Sequence, residues 1–188
     1  MPYLKYFQTF SPVEEGVIAD FLAEGRVVAY KKGEMITQEG QVQRDLLLVK
    51  DGVQMSFFNH EGAIQVMAFT YSPSVSGIPE SFLFQTPSKY ALQALTDSQL
   101  WAISYEKWKT HLDKSHALER LFRKMAEHFL VGMINRHIEL ETLTIEQRFR
   151  QFANRSGHLF QIVPHKYLAS YLNMNPTNFS KLFNSVKL

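Results

Sequence analysis

Three groups of residues in this sequence could do chemistry. The first lies in VPHKYLASYLNMNPTNFSKLF, residues 163–183, whose spacing, with Asn184 just beyond, leaves Thr177, Asn178, Lys181 and Asn184 on the outer side of a short helix. Short polar and cationic side chains of this kind hydrogen-bond to base edges and phosphates. His165, Lys166 and Arg155 lie where flanking helices could meet a nucleic-acid backbone. The second is SGIPESFLFQTPSKYALQAL, residues 76–95. A glycine turn, a Thr-Pro-Ser-Lys turn and an alternating run give it the shape of a loop that closes over a small ligand, yet only Glu80 and Lys89 are charged. The third is the histidines. A metal-dependent β-roll enzyme needs two or three strand histidines with a carboxylate. Before His111 there is only His60, in the turn Asn59-His60-Glu61-Gly62, and His137 with Glu141 reads as a structural or solvated pair. No Gly-x-Ser-x-Gly, phosphate-loop or dinucleotide-binding glycine motif is present. The expectation is a protein that is not an enzyme and holds no metal and no cofactor.

The elements that must position these groups follow from periodicity. Ser11-Pro12-Val13-Glu14 predicts a helix start, with a Ser cap, Pro at the first position and Glu three residues after the cap. Val13, Val17, Ile18, Phe21 and Leu22 continue it, and Gly25 ends it. From Arg26 to Ser104 the period becomes two, in short runs such as VVAY, EMITQ, DLLLVKDG, VQMSFFN, AIQVMAFTY, KYALQAL and SQLWAIS. Asp51-Gly52 marks a tight turn, and seven or eight strands at this spacing predict a sandwich, jelly roll or barrel. From Ser115, Leu118, Leu121, Phe122, Met125, Phe129, Met133 and Ile134 recur at helical spacing over a helix of about 25 residues. Its stripe is long enough to serve a core and a second copy of the chain, and a close helix–helix approach would account for Gly132 within it.

In residues 163–183 Pro164 suits a first helical turn, and Leu168, Ala169 and Leu172 form an inner face. Asn173 sits where the chain must turn through a left-handed conformation. Asn175-Pro176 starts a second helix, with Phe179, Leu182 and Phe183 as its buried stripe. Two short helices joined this way are a helix-turn-helix. A helical hairpin with a solvated polar face is the plainer alternative, and charge weighs against it. Residues 145–188 carry six Lys/Arg (Arg148, Arg150, Arg155, Lys166, Lys181, Lys187) against one acid, net +5, whereas the rest of the chain carries 14 against 17, net −3. A basic tail on an acidic body points to a polyanion partner.

The chain has 188 residues, 45% of them hydrophobic and 20% charged, as in an ordinary folded protein. It has no cysteine, which excludes disulfides and thiolate metal sites and suits a reducing cytoplasm. No signal-peptide pattern or membrane span is present.

In order, a short N-terminal helix, a β-roll, a long helix and a helix-turn-helix, the chain resembles the Crp/Fnr family of bacterial transcription regulators, the cyclic-AMP receptor type. KKGEMITQEG and LLLVKDGVQMSFFNHEG resemble the family's early β-roll, ESFLFQTPSKYALQALTDSQLWAIS its later half, and HKYLASYLNMNPTNFSKLF its DNA-reading motif, in a style most like regulators of Bacteroidetes-type bacteria. The resemblance implies an α+β protein. Residues 1–112 would be a double-stranded β-helix of jelly-roll, cyclic-nucleotide-binding-like form, 113–143 a dimerisation helix and 144–188 the DNA-binding domain. It implies a homodimer on palindromic double-stranded DNA. RNA polymerase is a further expected partner, though no stretch marks a patch for it. The alternative is a ligand- or protein-binding β-roll with a helical assembly tail that does not read DNA.

The resemblance also identifies the loop. Family members that bind cyclic nucleotides carry a Gly-Glu pair for the ribose and, ten residues after the Glu, an Arg for the phosphate. Here Gly77 is followed by Ile78, the Arg position falls on Ser88, Lys89 should point to the opposite face, and Glu80 comes two residues late. Cyclic nucleotide is therefore not expected: a different effector, or none, is. Phe82, Phe84 and Tyr90 are expected to fill the pocket. The family's main base-reading positions hold Pro176, Thr177 and Lys181, so no known target sequence carries over. With Leu188 five residues past Phe183, little of the family's β-hairpin wing is expected. Fe–S sensing, found in some relatives, is excluded by the absence of cysteine.

Overall fold

A computed structural model describes residues 2–185 of the chain. Among them the strands are β1 (Arg26–Tyr30), β2 (Met35–Thr37), β3 (Asp45–Asp51), β4 (Val53–His60), β5 (Ala63–Tyr71), β6 (Val75–Ser76), β7 (Ala91–Ala94) and β8 (Ser98–Ser104). The helices are α1 (Pro2–Gln8), α2 (Glu15–Ala23), α3 (Pro79–Phe84), α4 (Tyr105–Lys114), α5 (His116–Thr142), α6 (Ile145–Ser156), α7 (His165–Tyr171) and α8 (Pro176–Ser185). Two four-stranded sheets form, in the orders β1-β8-β3-β6 and β2-β7-β4-β5. The chain divides into two compact units, Met1–Ser56 with Phe69–Leu130, and Phe57–Ala68 with Val131–Leu188.

In the first unit β3 explains the fold. Its run Leu46-Leu47-Leu48-Val49 is apolar without alternation because both of its faces are covered. Leu47 and Val49 point between the sheets, with Leu100 and Ala102 of β8, Leu92 of β7 and Ile78. Leu46 and Leu48 point the other way, into a cluster with Tyr3, Phe7, Ile18, Phe21, Ile103, Leu118 and Leu121 from β8 and helices α1, α2 and α5. Burial pushes the Tyr3 phenol up to about 12, and its hydroxyl donates to the Leu48 carbonyl at 3.3 Å.

Three expectations near the N-terminus and the loop need correction. The first helix is α1, and the Ser11-Pro12-Val13-Glu14 start is displaced: α2 begins at Glu15, and no side chain caps it. Ser11 is instead buried in the turn between the two helices. The 76–95 loop contains a helix, α3, entered through Ile78 and Pro79. Another helix, α4, capped by the Ser104 hydroxyl, precedes the long one.

In the second unit the tip of the β4–β5 hairpin turns at Glu61 and Gly62, both with positive φ (52° and 82°), the signature of a tight two-residue turn. The Ser170 hydroxyl of α7 donates to the Ile64 carbonyl (2.8 Å) and accepts from the Val66 N–H (2.9 Å), covering the edge of β5. Thr144 and Gln147 form a reciprocal capping box at the start of α6. The core is aromatic: Phe149 stacks on Phe160 at 5.2 Å and meets Phe179 edge-on at 5.5 Å. The expectation that little of a wing follows α8 falls on residues 186–188, outside the described residues.

Candidate nucleic-acid interface and effector cradle

The turn between α7 and α8 is built by local chemistry. Asn173 has φ 50°. The Asn173 N–H donates to the Ser170 carbonyl and the Met174 N–H to the Ala169 carbonyl, both at 3.0 Å. That pair closes α7 as a Schellman motif with Asn in place of Gly, and Met174 is buried beside it. Arg148 ties the turn down, donating to the Asn173 carbonyl (3.2 Å) and the Leu140 carbonyl (2.9 Å). Asn175 Oδ1 then accepts the Thr177 N–H at 2.7 Å and starts α8. Leu168, Ala169, Leu172 and Phe179 are buried, as the pattern requires.

Thr177, Asn178, Lys181 and Asn184 form an exposed row on α8. His165 is exposed too, but its ring packs on Phe183 and Phe179, with centroids 4.4 and 5.0 Å away. Lys166 is exposed beside the Tyr167 ring. Arg155 is shared between Glu139 (3.7 Å) and the Tyr171 hydroxyl, to which it donates at 3.3 Å. The positive charge counted in the sequence is thus largely committed within the unit. Arg148 is buried, and Arg150 pairs with Glu146 at 2.8 Å. Among the described residues of this tail, Lys166 and Lys181 are the exposed Lys/Arg side chains with no carboxylate partner; Lys187 lies outside them.

α5 carries Phe129, Leu130, Val131, Met133, Ile134 and Ile138 in the open, Leu130 60% exposed. A Cβ placed on Gly132 would meet nothing within 4 Å. His137 and Glu141 are also exposed.

The 76–95 loop is organised around a residue the sequence reading missed, Gln43. Its Oε1 accepts the Ile78 N–H at 2.8 Å, and its Nε2 donates to the Asp45 carbonyl at 3.0 Å. Its own N–H donates to the Ser81 hydroxyl (2.9 Å), which donates onward to the Thr86 carbonyl. Its carbonyl accepts from Gln85 Nε2 at 3.2 Å. One buried residue thus holds α3 at its start, middle and end. Gly77 (φ 143°) lies directly against this side chain, and a Cβ there would collide with Gln43 Nε2.

Ser88, at the position where the resemblance calls for Arg, is consumed internally. Its N–H donates to the Gln41 carbonyl (2.8 Å), its carbonyl accepts the Gly40 N–H (2.8 Å), and its hydroxyl donates to the Tyr90 carbonyl at 2.6 Å. Lys89 is exposed while Ser88 is buried. Glu80 sits beside Tyr90, whose phenol is raised by burial and then by the Glu80 carboxylate. Ile78 and Tyr90 belong to the apolar interior between the sheets. Phe82 and Phe84 do not fill that interior. Phe82 lies in the helix-side cluster, against Trp108 at 5.1 Å, and Phe84 is 74% exposed. As residues of α3 they leave the inner surface, which a period-two reading could not foresee.

Comparison with known proteins agrees with this architecture. Residues 27–115 match the cyclic nucleotide-binding domain family. Most of the chain resembles solved structures. The catabolite activator protein of Thermus thermophilus is 18% identical, with 94% of this chain and 84% of that one covered and a TM-score of 0.60. FixK2 of Bradyrhizobium japonicum is 17% identical, with 85% and 83% covered and a TM-score of 0.71. CLP of Xanthomonas campestris, a c-di-GMP-responsive global regulator, is 17% identical, with 91% and 90% covered and a TM-score of 0.66. At these identities the likeness establishes the fold. No curated protein matches the chain. Among the described residues no group of three or more His, Asp or Glu could hold a metal ion, and no helix is long and apolar enough to cross a membrane.

Proposed function

We propose that the protein is a cytoplasmic, homodimeric transcription regulator of the Crp/Fnr type that binds palindromic duplex DNA through α8 without cyclic nucleotide and catalyses no reaction. The exposed row Thr177, Asn178, Lys181 and Asn184, set on a helix anchored by buried Phe179, carries this reading. Paired half-sites call for paired chains. The open row Phe129, Leu130, Met133, Ile134 and Ile138 on α5 recurs at helical spacing and suits a second copy, each copy giving the same surface. Effector independence is supported by the loop: Gln43 and Ser88 direct their polar groups to the protein's own backbone, and Ile78 occupies the position after Gly77 with an aliphatic side chain.

The test is sedimentation with gel retardation on a random duplex pool, wild type against Ile134→Glu. The wild type is expected to run as a dimer and retain duplex. Ile134→Glu, which would bury a carboxylate beside its symmetry mate, is expected to run as a folded monomer with at least tenfold weaker retention, since burying an unpaired charge costs several kcal/mol. A folded wild-type monomer, or a dimer that retains no duplex, overturns the reading.

A further inference from the structure

The α8 row also says which bases it can read. Pro176 has no N–H, and the Thr177 N–H is taken by Asn175, so the first turn presents side chains rather than backbone donors. The exposed row contains no acid, and so no carboxylate to pair with the cytosine amino group. Asn178 and Lys181 are exposed, and neither side chain has a hydrogen bond or ion pair with another described residue. Three residues apart, they share a face and stand about 4.5 Å apart along the axis. Base pairs stack about 3.4 Å apart, so the two side chains span one or two steps. A carboxamide matches the N6 and N7 edge of adenine, and an ammonium the O6 and N7 edge of guanine.

We infer that Asn178 and Lys181 are the base-reading side chains and that each half-site carries an adenine and a guanine one or two base pairs apart. The inference rests on the regulator reading above.

The test is selection from random duplex DNA by the full chain, with wild type, Asn178→Ala and Lys181→Ala in parallel, followed by affinities for the selected site and its single-base variants. The wild type is expected to enrich an inverted repeat with that adenine and guanine in each half. Asn178→Ala flattens the preference at the adenine alone and Lys181→Ala at the guanine alone. Each weakens the selected site roughly ten- to hundredfold, with little further loss on a site already altered at that base. Both residues are exposed, so the melting temperature and the dimer are expected to stay unchanged. If both variants bind every sequence equally more weakly with base preferences intact, the side chains touch phosphate and the inference falls while the regulator reading stands. If the wild type enriches nothing, the regulator reading falls and takes the inference with it.

Discussion

The α3 loop and the α7–α8 pair each look like a functional motif in the sequence, and they differ in what their polar groups already do. Around α3, every polar group of Gln43 and the N–H, carbonyl and hydroxyl of Ser88 are bonded within the protein. On α8 the helix is built from Asn173, Asn175 and Phe179, and the row Asn178, Lys181 and Asn184 is left uncommitted. A binding site needs polar groups that remain to be satisfied; a loop that satisfies its own is a structural element. By that measure the first region is a closed cradle and the second an open one.

The largest effect should come from breaking the open region's support. Phe179→Ala removes a fully buried ring shared by Phe149, Phe160 and His165. Loss of a core Phe costs about 3–5 kcal/mol, so DNA retention should vanish and proteolysis should cut the C-terminal unit first. Retained DNA binding would mean that α8 is not held from beneath by this ring.

Gln43→Ala is the matching cut in the closed region. It leaves the Ile78 N–H buried without its acceptor, a loss of about 1–3 kcal/mol. The melting temperature should fall, and the sequence preference on DNA should not change. Calorimetry with cyclic AMP should show no heat of binding, because the variant supplies neither a ribose carboxylate nor a phosphate guanidinium. Binding of cyclic AMP by this variant would make Gln43 a plug over a working site.

Much of the C-terminal architecture was legible because its determinants are local. Asn173 turns the chain by its own tolerance of positive φ, and Asn175-Pro176 starts α8 within three residues. The β-runs were legible for the same reason, since alternation and Asp51-Gly52 are short-range signals. α1 carries no cap or turn signal of its own in the sequence, and Ser11, which has the residue type of a cap, is buried by packing instead. Gln43 was illegible: its partners around α3 lie 35 to 42 residues away and nothing in its neighbourhood announces them. Arg148 adds to the net charge of the sequence, yet it is buried, beside Phe149 in a stripe with Phe152, so a charge count does not show which cations reach the surface.

The smallest effect concerns alkali. Tyr3, Tyr6, Tyr30 and Tyr90 all belong to the first unit, and burial raises each of them, Tyr3 to about 12 from an ordinary 10.0. A raised phenol favours the neutral form in the folded protein, so its contribution is complete below pH 10 and is lost as pH rises through about 12. Tyrosine absorbance near 295 nm should therefore show part of the phenols ionising late, together with unfolding of the β-roll. Ionisation of all eight tyrosines in one step near the ordinary value would contradict the burial.

The measurement that bears most directly on the central claim is the affinity of the purified full chain for its selected inverted repeat, by fluorescence anisotropy, with and without millimolar cyclic AMP. A closed cradle with an open reading helix predicts tight binding in both cases and a ratio of one, since a ligand that does not bind cannot be coupled to DNA. Binding that appears only when cyclic AMP is added would contradict the account.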